Sequence, residues 1–168
     1  RAWRHILGVM IACNEIDLND AGQCATMMEI LEVYAMDIMG GGKSLEAEVK
    51  ANLPAELRKR PFAHVFIATV DGIPAGLSIC FEGFSTFACK PLINIHDLCV
   101  VPTMRRKGVA TALLFAIEQL AKSLDCCKLT LEVLEGNHGA KKAYTQFGFT
   151  GYELDADTGK ALFWEKKV

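Results

Sequence analysis

The stretch from Ile93 to Leu134 constrains this chain more than any other. Ile93–Val101 is apolar and strand-like, and Pro102 closes it. A basic turn, Thr103–Lys107, follows. Val109, Ala112, Leu113, Ala116, Ile117 and Leu120 then recur at i, i+3, i+4, i+7, i+8 and i+11, the spacing of one apolar helix face. Lys128–Leu134 reads as a second strand. A strand, helix and strand joined this tightly form a crossover, so the two strands pair in parallel and the helix lies on the sheet between them.

The flanking segments extend that unit. Val9–Ile16 reads as a strand, and Asn19 and Asp20 offer caps to a helix whose apolar face is Cys24, Met27, Met28, Leu31, Ala35 and Ile38. Gly40-Gly41-Gly42 is expected to end it. Ser44 is expected to cap a short helix with Leu45, Val49 and Leu53 inward, stopping before Pro54. Val65–Val70 and Ile73–Phe81, joined by Asp71-Gly72, predict a hairpin with a two-residue turn. Glu82–Pro91 reads as a loop, Asn137–Phe147 as a fourth helix, and Tyr152–Leu154 with Ala161–Trp164 as a closing strand pair. The expected fold is α/β (α+β): a mixed central sheet of about seven strands flanked by four helices, in a single domain over residues 1–168. Because Met10 follows a chain that begins with Arg1, residues 1–9 read as an artificial remnant or a processed extension.

Composition removes several classes of function. A formal charge of −2 gives no general attraction to nucleic acid or anionic lipid. No apolar run approaches the roughly 20 residues that span a bilayer, and no signal-peptide pattern opens the chain. The seven cysteines (Cys13, Cys24, Cys80, Cys89, Cys99, Cys126, Cys127) are odd in number and sit mostly in apolar stretches. Without a C-x-x-C pair, neither a disulfide framework nor a metal site is expected. Reduced, buried thiols in the cytoplasm are. Gly40-Gly41-Gly42-Lys43-Ser44 mimics a phosphate-binding loop, but that motif's first glycine falls on Asp37, and the segment follows a helix rather than a strand.

The basic turn carries chemistry. Amides in the first turn of a helix have no intrahelical acceptor and sit at the positive end of its dipole, which makes an anion site. Gly108 and Ala110 let phosphate oxygens approach the backbone, and Arg105, Arg106 and Lys107 add charge. A diphosphate ligand suits this turn, and so does plain solvation of a basic surface.

Two motifs decide between these. The run V-x-P-x-x-R-R-K-G-V-A-T resembles motif A of the GNAT superfamily of N-acetyltransferases, R/Q-x-x-G-x-G/A. The run L-E-V-L-E-G-N-H-G-A-K-K-A-Y-T-Q-F-G-F resembles its motif B. The resemblance is close over residues 93–149 and rests on element order elsewhere. It implies the GNAT fold, acetyl-CoA as co-substrate, no metal and a primary amine acceptor. Arg105, Arg106, Lys107, Gly108, Val109, Ala110 and Thr111 would wrap the pyrophosphate. The backbone of Leu98, Cys99 and Val100 would bond the pantetheine arm, which Asn137 would also contact.

An ammonium of pKa about 10 must lose a proton before it attacks a thioester, and the departing thiolate gains from a proton donor. The resemblance makes Tyr144 that donor, seven residues after Asn137. It offers two bases: Glu132, five residues before Asn137, and His96 beside Asp97 in I-H-D-L-C-V, a stretch similar to one in the spermidine/spermine acetyltransferases. Glu82 and Asp37 are further candidates for the amine pocket. A polyamine, amino acid or aminated metabolite is the expected acceptor. A protein N-terminus or lysine, and a non-catalytic acyl-CoA sensor, are the alternatives. No nucleic-acid or membrane partner is expected, and homodimerisation stays open.

Overall fold

Asp71 and Gly72 adopt φ of 50° and 81°, and that pair of left-handed residues closes the hairpin the sequence announces. A computed structural model describes every residue except Arg1, Leu7, Leu154, Ala156 and Thr158. The chain divides into two compact units, Arg1–Leu131 and Glu132–Val168.

The first unit carries strands β1 (Ala2–Ile6), β2 (Val9–Glu15), β3 (Ala63–Val70), β4 (Ile73–Ser85), β5 (Lys90–Val100) and β6 (Leu129–Leu131), with helices α1 (Ala21–Met36), α2 (Ala47–Arg58) and α3 (Val109–Ser123). Six strands lie side by side in the order β1-β2-β3-β4-β5-β6. Every neighbouring pair is antiparallel except β5–β6, which is parallel as the crossover requires.

On one face α1 and α2 bury Met27, Ile30, Leu31 and Leu57 against Val65, Ile67, Leu77, Ile79 and Cys99. On the other, α3 presents Val109, Leu113 and Ile117, all fully buried. Gly76 of β4 is the point of closest approach. A Cβ there would stand 2.8 Å from Val109 Cγ1 and 2.9 Å from the Cys99 carbonyl.

Several expectations need correction. Asp20 does cap α1, accepting the Gly22 and Gln23 amides, but Asp37 ends that helix, not the glycine triplet. Asp37 turns extended (ψ 147°) and its carboxylate caps a 3₁₀ turn over Ile38–Gly40, which leaves Ile38 84% exposed and off the apolar face. Ser44 caps nothing: Glu46 stands at the N-cap of α2, and the Ser44 hydroxyl donates to Glu32 at 2.6 Å. Helix α2 starts at Ala47 and runs through Pro54 to Arg58. A proline there loses one backbone hydrogen bond and crowds the carbonyl four residues back, and buried Leu57 beyond it anchors the last turn against that cost. Glu82–Pro91 is not a loop, since the β4–β5 ladder continues to Ser85↔Lys90. Within that run Gly83 provides the room that Leu92 fills across the ladder.

Ala2–Ile6, inside the stretch read as an extension, is an edge strand paired with β2 from Ala2↔Cys13 to Ile6↔Val9. In the second unit α4 spans His138–Phe147, as expected, with Asn137 at its N-cap. The closing strand pair is reduced to one antiparallel bridge, Glu153↔Lys160. Leu154 of that pair lies outside the described residues, and Leu162, Phe163 and Trp164 are exposed. The sheet among the described residues therefore has six strands rather than seven, one gained at the start and two not formed at the end.

Candidate active site

β5 carries one residue too many for its partner. Ile79 faces Asp97 and Cys80 faces Ile95, so His96 is an unpaired bulge. Its ring meets the edge of Phe81 at 5.5 Å, on the α1/α2 face. Asp97 lies opposite Ile79, whose side chain packs on that same face. The bulge thus aims two consecutive polar side chains at one side of the sheet, which a regular strand cannot do. His96 is exposed and Asp97 half-buried. Burial pushes the Asp97 carboxyl above the usual aspartate range, partly offset by the charge of His96. Tyr34 of α1 is pushed up by its own burial and by the charges of Asp97, Cys99 and Asp37.

The bulge also marks where β5 loses its other neighbour. β6 pairs only with Ile93, Asn94 and Ile95, and beyond them the outer edge of β5 has no ladder partner among the described residues. The Val101 amide donates to the Ala75 carbonyl across the inner ladder at 2.9 Å. By antiparallel alternation, Cys99 then also turns its backbone groups toward β4, and Leu98 and Val100 turn theirs to the open edge.

After Val100 the chain makes a 3₁₀ turn over Pro102–Met104 and enters the basic segment. Arg106 (φ 63°) and Gly108 (φ 88°) are both left-handed. Gly108 is the N-cap of α3 and no side chain caps that end. The first intrahelical bond runs from the Ala112 amide to the Gly108 carbonyl, so the amides of Val109, Ala110 and Thr111 are left for an outside acceptor. Left-handed residues within such a turn gather amides into an anion-binding concavity. Of the basic side chains, Arg105 is committed: Nη2 donates to Asp37 Oδ2 at 2.6 Å and Nε to the Val100 carbonyl at 3.3 Å. A narrow cleft lined by Ile30, Tyr34, Cys99, Pro102 and Arg105 runs between α1 and this turn.

Glu132, exposed, follows the last residue of β6 and opens the second unit. In that unit Asn137 Oδ1 accepts the Ala140 amide at 3.1 Å, which leaves Nδ2 as its donor end. Tyr144 is buried, its ring edge-on to Phe149 at 5.8 Å.

Two further candidates are each held by bonds of their own. Asp37 binds Arg105, and Glu82 lies on the α3 face, where it and Glu15 bracket His64 at 2.9 and 2.7 Å. The cysteines divide as well. Cys13, Cys24, Cys80 and Cys99 are buried as expected, while Cys89 and Cys127 are exposed. Burial pushes the Cys13, Cys80 and Cys99 thiols up to about 12, which removes them as nucleophiles. No helix among the described residues is long and apolar enough to cross a membrane.

An open strand edge beside an uncapped basic helix start, in an α/β scaffold, sets hydrogen-bonding groups and positive charge side by side. The family model described as "Acetyltransferase (GNAT) family" matches residues 26–149, and the chain belongs to that family. The chain is 31% identical over 96 residues to thialysine N-epsilon-acetyltransferase of Caenorhabditis elegans, covering 55% of this chain and 59% of that protein. It is 24% identical over 105 residues to aminoglycoside N(6′)-acetyltransferase type 1 of Salmonella typhimurium, covering 61% of this chain and 68% of the relative. A soil-metagenome aminoglycoside acetyltransferase, crystallised with sisomicin, shares the fold at a TM-score of 0.72 and 18% identity, over 94% of this chain and 97% of that one.

Proposed function

We propose that this protein moves the acetyl group of acetyl-CoA directly to the primary amine of a small cationic molecule. The observation that carries the reading is the β5 edge. Leu98 and Val100 turn backbone groups outward there, between a carboxylate at the bulge and the uncapped start of α3. A pantetheine arm is a chain of amides, and such an edge hydrogen-bonds it as a strand would. Arg106, Lys107 and the amides of Val109, Ala110 and Thr111 supply donors for a pyrophosphate at the following turn. Acetyl-CoA, when bound, supplies an activated thioester, so no covalent adduct with the protein is needed.

Cys99 belongs to this site by position, with its own backbone groups turned to β4. For Asn137 and Tyr144, in the second unit, the resemblance implies contact with the pantetheine arm and proton donation to the departing thiolate. Asp97 joins Glu132 and His96 as a base. Burial raises the proton affinity of Asp97 above that of an ordinary aspartate, the direction a base for this task needs. The names of the two curated relatives, thialysine and aminoglycoside acetyltransferases, support a small amine acceptor.

Gly108→Val tests the coenzyme site. A β-branched residue at φ 88° is strained and covers the amides that receive phosphate. Calorimetry should show acetyl-CoA affinity falling at least 100-fold in a variant with unchanged circular dichroism. Retained affinity in that folded variant contradicts the placement.

A further inference from the structure

We infer that the Arg105 guanidinium is a positioning device for the amine side of the site: through Asp37 it ties the end of α1, and with it Tyr34, to the turn that follows β5. The inference rests on the acetyltransferase reading above and assigns Arg105 a task that the basic turn alone does not suggest.

Three observations carry it. First, the guanidinium is held at both ends, by Asp37 at 2.6 Å and by the Val100 carbonyl at 3.3 Å. That carbonyl is on the open edge of β5, so Arg105 reaches back along the strand rather than out toward solvent. Second, Asp37 is the keystone of its corner. Its amide donates to the Tyr34 carbonyl, its other carboxylate oxygen accepts the Met39 amide, and its carbonyl accepts the Gly40 and Gly42 amides. Asp37 is well covered, at 16% side-chain exposure, whereas Arg105 is half exposed. Third, the corner leaves no slack. A Cβ on Gly40 would overlap the Tyr34 carbonyl, the same carbonyl that accepts the Asp37 amide, so Asp37, Gly40 and the last turn of α1 are packed directly on one another.

Tyr34 and Arg105 line the same cleft, and the charges of Asp97 and Asp37 both reach the Tyr34 phenol. Tyr34 is therefore within electrostatic reach of both the carboxylate at the bulge and the ion pair. An exposed ion pair contributes little to global stability. Fixing one side chain within half an ångström of a reacting amine matters far more.

The test compares wild type with Asp37→Asn, Arg105→Gln, Arg105→Lys and the double variant Asp37→Asn/Arg105→Gln. Acetyl-CoA affinity is measured by calorimetry. Amine KM and kcat are measured with whichever of thialysine, spermidine and sisomicin wild type acetylates fastest. Asp37→Asn and Arg105→Gln should each raise amine KM about 10-fold with acetyl-CoA affinity within twofold of wild type. The double variant should be no worse than either single one, and Arg105→Lys should recover part of the loss. Arg105→Gln weakening acetyl-CoA tenfold while Asp37→Asn changes nothing would overturn the inference and make Arg105 a phosphate ligand. Wild-type kinetics in both single variants would overturn it too. Both results leave the acetyltransferase reading standing, whereas a wild-type protein that binds no acetyl-CoA removes that reading and this inference together. Asp37→Asn keeps size and shape, so a melting temperature near wild type separates a local shift from unfolding.

Discussion

Asp97 owes its place to one extra residue. Without the bulge at His96, Asp97 and His96 would point to opposite faces, and only one could meet an amine. The sequence showed both polar residues in an apolar strand, but a bulge depends on pairing with β4, which no local pattern encodes. If Asp97 takes the amine proton, kcat/KM should rise with pH along a limb placed above the ordinary aspartate range, since burial holds its proton. Asp97→Asn should erase that limb and cost about 10²–10⁴-fold, the scale of a general base. A limb and rate that survive in Asp97→Asn, but not in Glu132→Gln or His96→Gln, would move the role to one of those residues.

His64 shows the opposite electrostatics. Burial presses its proton affinity down, but the hydrogen bonds and charges of Glu82 and Glu15 outweigh it, so the ring titrates above its usual value. The folded state therefore binds the proton more tightly than the unfolded chain. The stability this contributes is whole below pH 6.5, the ordinary value, and is lost as pH rises through the raised folded one. Melting temperature against pH should fall across that window in wild type and flatten there in His64→Gln. Parallel curves would show that the cluster contributes nothing.

At the scale of elements, strong periodicity and paired turn residues were legible, and breakers were not. Helix α3 was readable because its apolar positions repeat over four turns, and the hairpin because Asp71-Gly72 admits few other conformations. Pro54 reads as a helix stop and Glu82–Pro91 as a loop, yet α2 runs through the one and the β4–β5 ladder takes in both ends of the other, because tertiary packing overrides local preference. Gly76 was silent in the sequence, yet it sets how closely α3 lies on the sheet. Gly76→Ala puts a methyl against Val109, Leu113 and the Cys99 carbonyl. Urea unfolding should show a loss of about 1–3 kcal/mol, the cost of overpacking. An unchanged midpoint would mean that α3 can move aside freely.

For the molecule as a whole, the crossover and the two motifs carried the family, because they lie in one continuous stretch, residues 93–149, inside the residues 26–149 that the family model matches. The amine side was far less legible. As proposed, it draws on α1 and the bulge of β5, segments far apart in the chain, and the Asp37–Arg105 bond between α1 and the turn after β5 spans 68 positions. The central claim, direct acetyl transfer to an amine, is tested by mixing the protein with acetyl-CoA labelled in its acetyl carbons and a panel of thialysine, spermidine and sisomicin, then weighing the products by mass spectrometry while titrating free thiol. The account predicts one labelled N-acetyl group on an amine for each thiol released, with no labelled protein. Thiol release without labelled amine, or tight acetyl-CoA binding with no transfer to any of the three, would contradict it.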